Sequence, residues 1–289
     1  MRKKLLSLFT LALLASGSAW AQETYQIGTA EELEAFAQKV NEGENDANAV
    51  LTADIDYSAF STRIGLGEGI DGYLGTFDGQ GHKITVGFTQ VIEEGGTEVS
   101  PYATLFFNLL KGSVVKNLIT DGTITTNQKF AAGIAGDCAG LIENCASYVT
   151  IESSLEGDGT HGGIAGRGLE GGEIKFCLSA VKINGELTNN CGTLVGWLTG
   201  KTTIYGCVSV AEMNLAKVDG SDCICRNNAN MTAESGRNYF LNQYGSFNTT
   251  YCAQASAAAL KSGAVCWALN GRQEDIHWYQ TLGTDNNPI

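Results

Sequence analysis

One ten-residue stretch is written four times. Val115–Ile124, Ile142–Ile151, Ile174–Ile183 and Ile204–Met213 begin 27, 32 and 30 residues apart. A shorter element keeps the same beat: Gly133-Ile-Ala-Gly136, Gly163-Ile-Ala-Gly166 and Thr193-Leu-Val-Gly196, each 30 residues after the last. Thr104-Leu-Phe-Phe107 reads as a degenerate earlier copy of it, 29 residues upstream. A period near 30 signals stacked units that cannot bury their apolar faces alone. The copies alternate with period 2 and are rich in Val, Ile, Thr and Gly, so the unit is a strand rather than a helix.

Stepping by two through the copies gives four inward columns. The first is Leu118, Cys145, Cys177, Cys207 and the second is Thr120, Ser147, Ser179, Ser209. The third is Gly122, Val149, Val181, Ala211 and the fourth is Ile124, Ile151, Ile183, Met213. Stacked strands would place like on like about 4.8 Å apart. The hydroxyl column then needs hydrogen bonds along its own ladder or to backbone. The cysteine column reads as buried free thiols, since neighbours on parallel rungs point the same way, against the disulfide dihedral. Among Cys138, Cys191, Cys223, Cys225, Cys252 and Cys266 one or two bridges are expected, with the pairing open. Outward, Ile119, Ala146, Leu178 and Val208 form an apolar column, which a solvent-facing sheet should lack; the C-terminal segment is expected to cover it.

The fold class is therefore all-β, a parallel β-helix with helical caps at both ends. Residues 1–21 read as a secretory signal: Arg2, Lys3 and Lys4, an apolar run Leu5–Ala15 and the cleavage site Ala19-Trp20-Ala21. Residues 22–62 form an N-terminal cap with one helix, opened by the capping box Thr29-Ala-Glu-Glu32 and carrying Leu33, Phe36, Ala37 and Val40 on one face. Residues 63–215 form the solenoid. Residues 216–289 hold a last strand at Asn238–Leu241 and a helical cap drawn from Ala253–Lys261 and Ala264–Leu269, expected as a plug on the last rung.

The Gly-Ile-Ala-Gly and Ile-x-x-Cys-x-Ser copies, led in by Leu74-Gly-Thr-Phe-Asp-Gly-Gln-Gly-His-Lys-Ile84, resemble GLUG-type repeats of exported bacterial proteins. Lys261–Asn270 with Trp278–Pro288 is similar to a terminal motif of large surface proteins of Gram-negative gut anaerobes. This resemblance implies a right-handed β-helix, a secreted, cell-surface or periplasmic setting, and little chemistry.

Function is written more faintly. The formal net charge is −13, and the leader holds three basic residues and no acidic one, so the chain beyond it is more acidic still. That argues against nucleic acid as a partner; beyond the leader no apolar run is long enough for membrane insertion. The expected function is non-catalytic and adhesin-like, with a glycan or a host or matrix protein as partner. Tyr148, Phe176, Trp197 and Tyr205 are the aromatic candidates for a binding platform. The alternative is a carbohydrate-active enzyme, a lyase or hydrolase, which needs clustered carboxylates; no outward column supplies them. Glu156, Asp158 and His161 are the alternative metal set, against a plain glycine turn with a packed histidine. No cofactor is expected.

Overall fold

The computed structural model describes residues 24–93, 102–271 and 276–289; the expected signal peptide lies outside them. The chain winds into a parallel β-helix with three main faces. The first face is a seven-stranded sheet running Thr24–Ile27, Asn48–Leu51, Thr76–Asp78, Val114–Lys116, Leu141–Glu143, Glu173–Lys175 and Thr203–Tyr205. An eleven-stranded sheet forms the second face; each long copy starts on the first face, turns the corner and continues on the second. The third face stacks Phe106–Leu109, Ala135–Cys138, Ala165–Gly168, Val195–Leu198 and Cys225–Arg226.

Register follows the repeat. Ser147 pairs with Thr120 and with Ser179, which pairs with Ser209. Ile151 pairs with Ile124 and Ile183, and Ile183 with Met213. Phe106 pairs with Ala135, so Thr104–Phe107 is the first copy of the short element. The inward columns are buried apart from the half-buried Gly122.

The hydroxyl column does not bond as a ladder. Ser179 Oγ donates to Thr193 O at 2.5 Å, whereas Thr120 Oγ1 and Ser147 Oγ are buried with no partner among the described residues. The reason is packing. A Cβ on Gly133 would lie 1.9 Å from Ser147 Oγ, and one on Gly163 2.0 Å from Ser179 Oγ. Each serine thus fills the space that the short element's leading glycine leaves, and the two repeats interlock. In the third copy Thr193 replaces that glycine and its hydroxyl turns to Cys223 O.

The N-terminal helix α1 (Ala30–Asn41) has the capping box, with Thr29 and Glu32 exchanging hydrogen bonds. Its buried Leu33, Phe36, Ala37 and Val40 close the first rung, Phe36 packing its ring against Tyr73 and Phe77. The assigned boundaries shift at both ends of the solenoid. Thr24–Ile27 and Asn48–Leu51 belong to the first face, so the coil begins inside the segment read as a cap. Beyond 215, Cys225–Arg226 extends the third face, and Asn238–Phe240 and Cys252–Gln254 extend the second. Ala253 and Gln254 are therefore strand, because they pair in register with Tyr239 and Phe240.

Two short helices follow, α2 (Ala257–Lys261) and α3 (Ala264–Asn270). They do not plug the last rung, which is closed instead by Tyr244, Phe247 and Tyr251 around Phe240. They lie along the second face: Leu260, Val265, Cys266, Leu269 and Trp278 form one apolar cluster with Leu178 and Val208 of the outward column. Trp278 Nε1 donates to Gly206 O at 2.9 Å. All nine cysteines are buried free thiols, against the one or two bridges expected. Of the six outside the column, Cys138, Cys191, Cys252 and Cys266 turn their sulfurs to nearby carbonyls.

Candidate ligand-binding groove

One residue per rung makes the corner between the first and second faces. Gln80, Asn117, Asn144, Phe176, Gly206 and Arg237 all have left-handed backbones, with φ between 51° and 68°. Asparagine and glycine are the natural choices there. Gln80, Phe176 and Arg237 depart from that rule; the Phe176 ring is stacked on His277 at 3.6 Å between centroids, 4° from parallel, and lies perpendicular to the ring of Tyr205.

This corner walls a groove. The C-terminal segment packs on Val208 and on Leu178, and less fully on Ala146; Ile119 lies outside that cluster and is half-buried. Where the cover ends, a cavity of about 440 Å³ opens over Ile119, Ala146 and Leu178. Gln80, Asn117 and Asn144 form one side, Tyr148 another, and His277 with Trp278 the third. Tyr148 is 41 % exposed, and partial burial raises its phenol pKa.

The amides form a chain. Asn117 Nδ2 donates to Asp78 Oδ1 at 2.9 Å, Asn144 Nδ2 approaches Asn117 Oδ1 at 3.5 Å, and His277 Nδ1 lies 3.2 Å from Asn144 Oδ1. The last contact makes Nδ1 the protonated nitrogen and leaves Nε2 as an acceptor. Each amide carries two N–H donors and an acceptor oxygen, so the wall retains capacity for a hydroxyl-rich ligand beside an aromatic ring. The described lining residues include no Asp or Glu.

Of the four aromatic candidates, the groove unites Tyr148 and Phe176. Tyr205 lies on the first face, under the Arg237 guanidinium. Trp197 lies on the third face. There Asn108, Asp137, Arg167, Trp197 and Arg226 pair in one outward column, which the sequence reading missed because the short element was followed only for its glycines. Arg167 holds both oxygens of Asp137 at 2.6 Å through Nε and Nη2, and Nη2 also meets Tyr102 OH. Those bonds to Asp137 raise the guanidinium above its already high pKa. Arg226 sits 4.7 Å over the Trp197 ring.

The alternative metal set is not assembled. His161 is fully buried and faces the core, Asp158 faces outward to Lys129 and Arg226, and Glu156 is exposed. Ala131 N donates to His161 Nδ1 at 3.2 Å, so Nε2 donates to Ser153 Oγ at 2.9 Å, and the chain continues to Thr188 Oγ1 and Leu155 O. Burial lowers the imidazole pKa to about 4, as expected for a packed neutral histidine. Burial also pushes the Cys138 and Cys191 thiols up to about 12, far from the range of reactive cysteines.

No family model matches the chain, and no curated protein does. Among solved structures, the chain is similar to a protein from Bacteroides ovatus provisionally named an immunoglobulin A1 protease. The two share 17 % identity at a TM-score of 0.62, over 93 % of this chain and 92 % of that one. At that identity the likeness concerns architecture, and it agrees with the register and faces above: the chain is an all-β parallel β-helix.

Proposed function

We propose that this chain is an exported, non-catalytic, adhesin-like β-helix that binds a glycan in the groove between the second face and its C-terminal cover. The observation that carries the reading is the groove's composition: an exposed tyrosine ring, a stacked imidazole and three amide side chains over an apolar floor. Amides satisfy sugar hydroxyls as both donors and acceptors, and aromatic rings pack on the apolar faces of sugar rings. The leader-like residues 1–21 and the resemblance to exported repeat proteins support the setting. A glycoside hydrolase would need two carboxyl groups about 5–9.5 Å apart across the bond it cuts, and the described groove lining supplies none.

The test is a glycan array followed by calorimetry. Tyr148→Ala and Asn144→Ala should each weaken a neutral hit about tenfold, in line with the ~1.4 kcal/mol of one good contact. No hit on the array, or hits indifferent to both substitutions, would remove the groove reading. Release of new reducing ends from any glycan would favour the enzyme alternative.

A further inference from the structure

A second cleft lies on the third face, away from the groove. It has a volume of about 250 Å³ and is lined by Lys129, Asp158, Arg167, Trp197 and Arg226, among others. We propose that this cleft holds the carboxylate-bearing residue of an acidic glycan.

The argument begins with how few arginines there are. Beyond the leader the chain has Arg63, Arg167, Arg226, Arg237 and Arg272, and two of these five flank one tryptophan. The register puts Trp197 between them, paired with Arg167 on one side and Arg226 on the other. In a chain of net charge −13 this is not the by-product of a generally basic surface.

Both guanidiniums are fixed by the protein. Arg167 spends Nε and Nη2 on Asp137 and Tyr102. Arg226 spends Nη1 on Asp158 Oδ1, Thr160 Oγ1 and Asn190 O, at 2.9 to 3.1 Å. Nη1 of Arg167 and Nη2 of Arg226 have no hydrogen bond among the described residues, so each locked fork retains donors. A planar carboxylate matches such donors with better geometry than a point anion does.

Charge narrows the class. Lys129, Arg167 and Arg226 bring three positive charges. Asp137 and Asp158 answer two of them, and burial alone would raise Asp158, but Thr160, Arg226 and Lys129 outweigh it and keep the carboxyl ionised. One net positive charge suits a monoanion rather than a phosphate monoester, whose charge is nearer −2. The volume is below the ~300–1,000 Å³ of pockets for drug-sized ligands, which limits the occupant to one small unit. One face of the indole carries the Arg226 guanidinium, and the part of Trp197 that lines the cleft offers that unit an apolar surface.

The proposal is separable from the groove reading, because the two sites share no residue. The experiment titrates the protein with sialyllactose and with hyaluronan fragments, using lactose as the matched neutral sugar and sodium sulfate as the bare anion, by calorimetry at two salt concentrations. At least one carboxylated sugar should bind, with affinity falling as salt rises, and lactose should not bind the Tyr148→Ala protein. Trp197→Ala should weaken binding at least tenfold. Lys129→Gln, at a side chain 46 % exposed and so harmless to folding, should weaken it several-fold. Tyr148→Ala should leave it unchanged. Equal binding of lactose that survives Tyr148→Ala, binding of sulfate alone, loss of carboxylated-sugar binding on Tyr148→Ala, indifference to Lys129→Gln, or no binding by either carboxylated sugar would each overturn it.

Discussion

At the scale of single residues, two buried ionisable groups pull stability in opposite directions with pH. His161 has its pKa lowered by burial from 6.5 to about 4. Between those values the unfolded chain takes a proton that the folded chain refuses, so stability falls as pH drops through the window, by about 3 kcal/mol in all. Asp222 has its pKa raised from 3.8 to about 6, through burial that outweighs the hydrogen bonds from Ile224, Cys225, Asn228 and Ser246. Its folded value lies above its unfolded one, so its contribution is fully present below pH 3.8 and is lost as pH rises through about 6. The two nearly cancel between pH 4 and 6. Asp222→Asn keeps an acceptor for Ile224 N, 3.0 Å away, and removes the buried charge. Chemical denaturation should find it more stable than the parent at pH 7, by about 1–3 kcal/mol. Its stability should then drop on acidification as His161 is unmasked. An equal loss at every pH would instead make Asp222 a structural acceptor that needs its charge.

At the scale of elements, the two repeats are one interlocked device. The leading glycine of the short element and the serine of the long copy's second column occupy the same space from opposite sides. Gly163→Ala would put a methyl 2.0 Å from Ser179 Oγ and 2.3 Å from Thr193 O, both inside the coil. Overpacking of this kind costs about 1–3 kcal/mol, which a shift in melting temperature would register, and Ser179→Gly in the same chain should recover part of it. The sequence showed both repeats and their period, and hence the inward columns, because period 2 alone decides which side chains face in. It did not show the interlock, since a glycine and a serine sixteen residues apart touch only once the coil closes. The hydroxyl column was expected to bond along its own ladder or to backbone; Ser179 does reach the Thr193 carbonyl, whereas Thr120 and Ser147 have no partner among the described residues.

At the scale of the whole molecule, the C-terminal segment does two jobs. It shields the apolar column of the second face, and its edge defines the groove. Trp278, 2 % exposed and bonded to Gly206 O, is the fastening. Trp278→Ala should cost about 3–5 kcal/mol at that contact. It should also expose Leu178 and Val208, giving concentration-dependent association by light scattering and added binding of an apolar dye. A variant that stays monomeric and dye-negative would mean that α2 and α3 hold the cover without it. The sequence anticipated that cover from an outward column too apolar for water. It also named Tyr148 and Phe176, and the structure brings both to one groove. Trp197 was named without its arginines, because the partners lie 30 residues before it and 29 after it, on neighbouring rungs.

What the sequence by itself determined is the coil: its period, its inward columns, the capping box of α1 and the need for a cover over Ile119, Ala146, Leu178 and Val208. These are local or periodic properties, and side-chain alternation together with the repeat fixes them without knowledge of the third dimension. What only the tertiary structure decided is where the cover stops, which residues of different rungs meet at a corner or on a face, and which groups lie in the dark between them. Those depend on contacts between residues about one rung apart, or more than a hundred residues apart for His277 and Asn144, and no pattern along the chain records such distances.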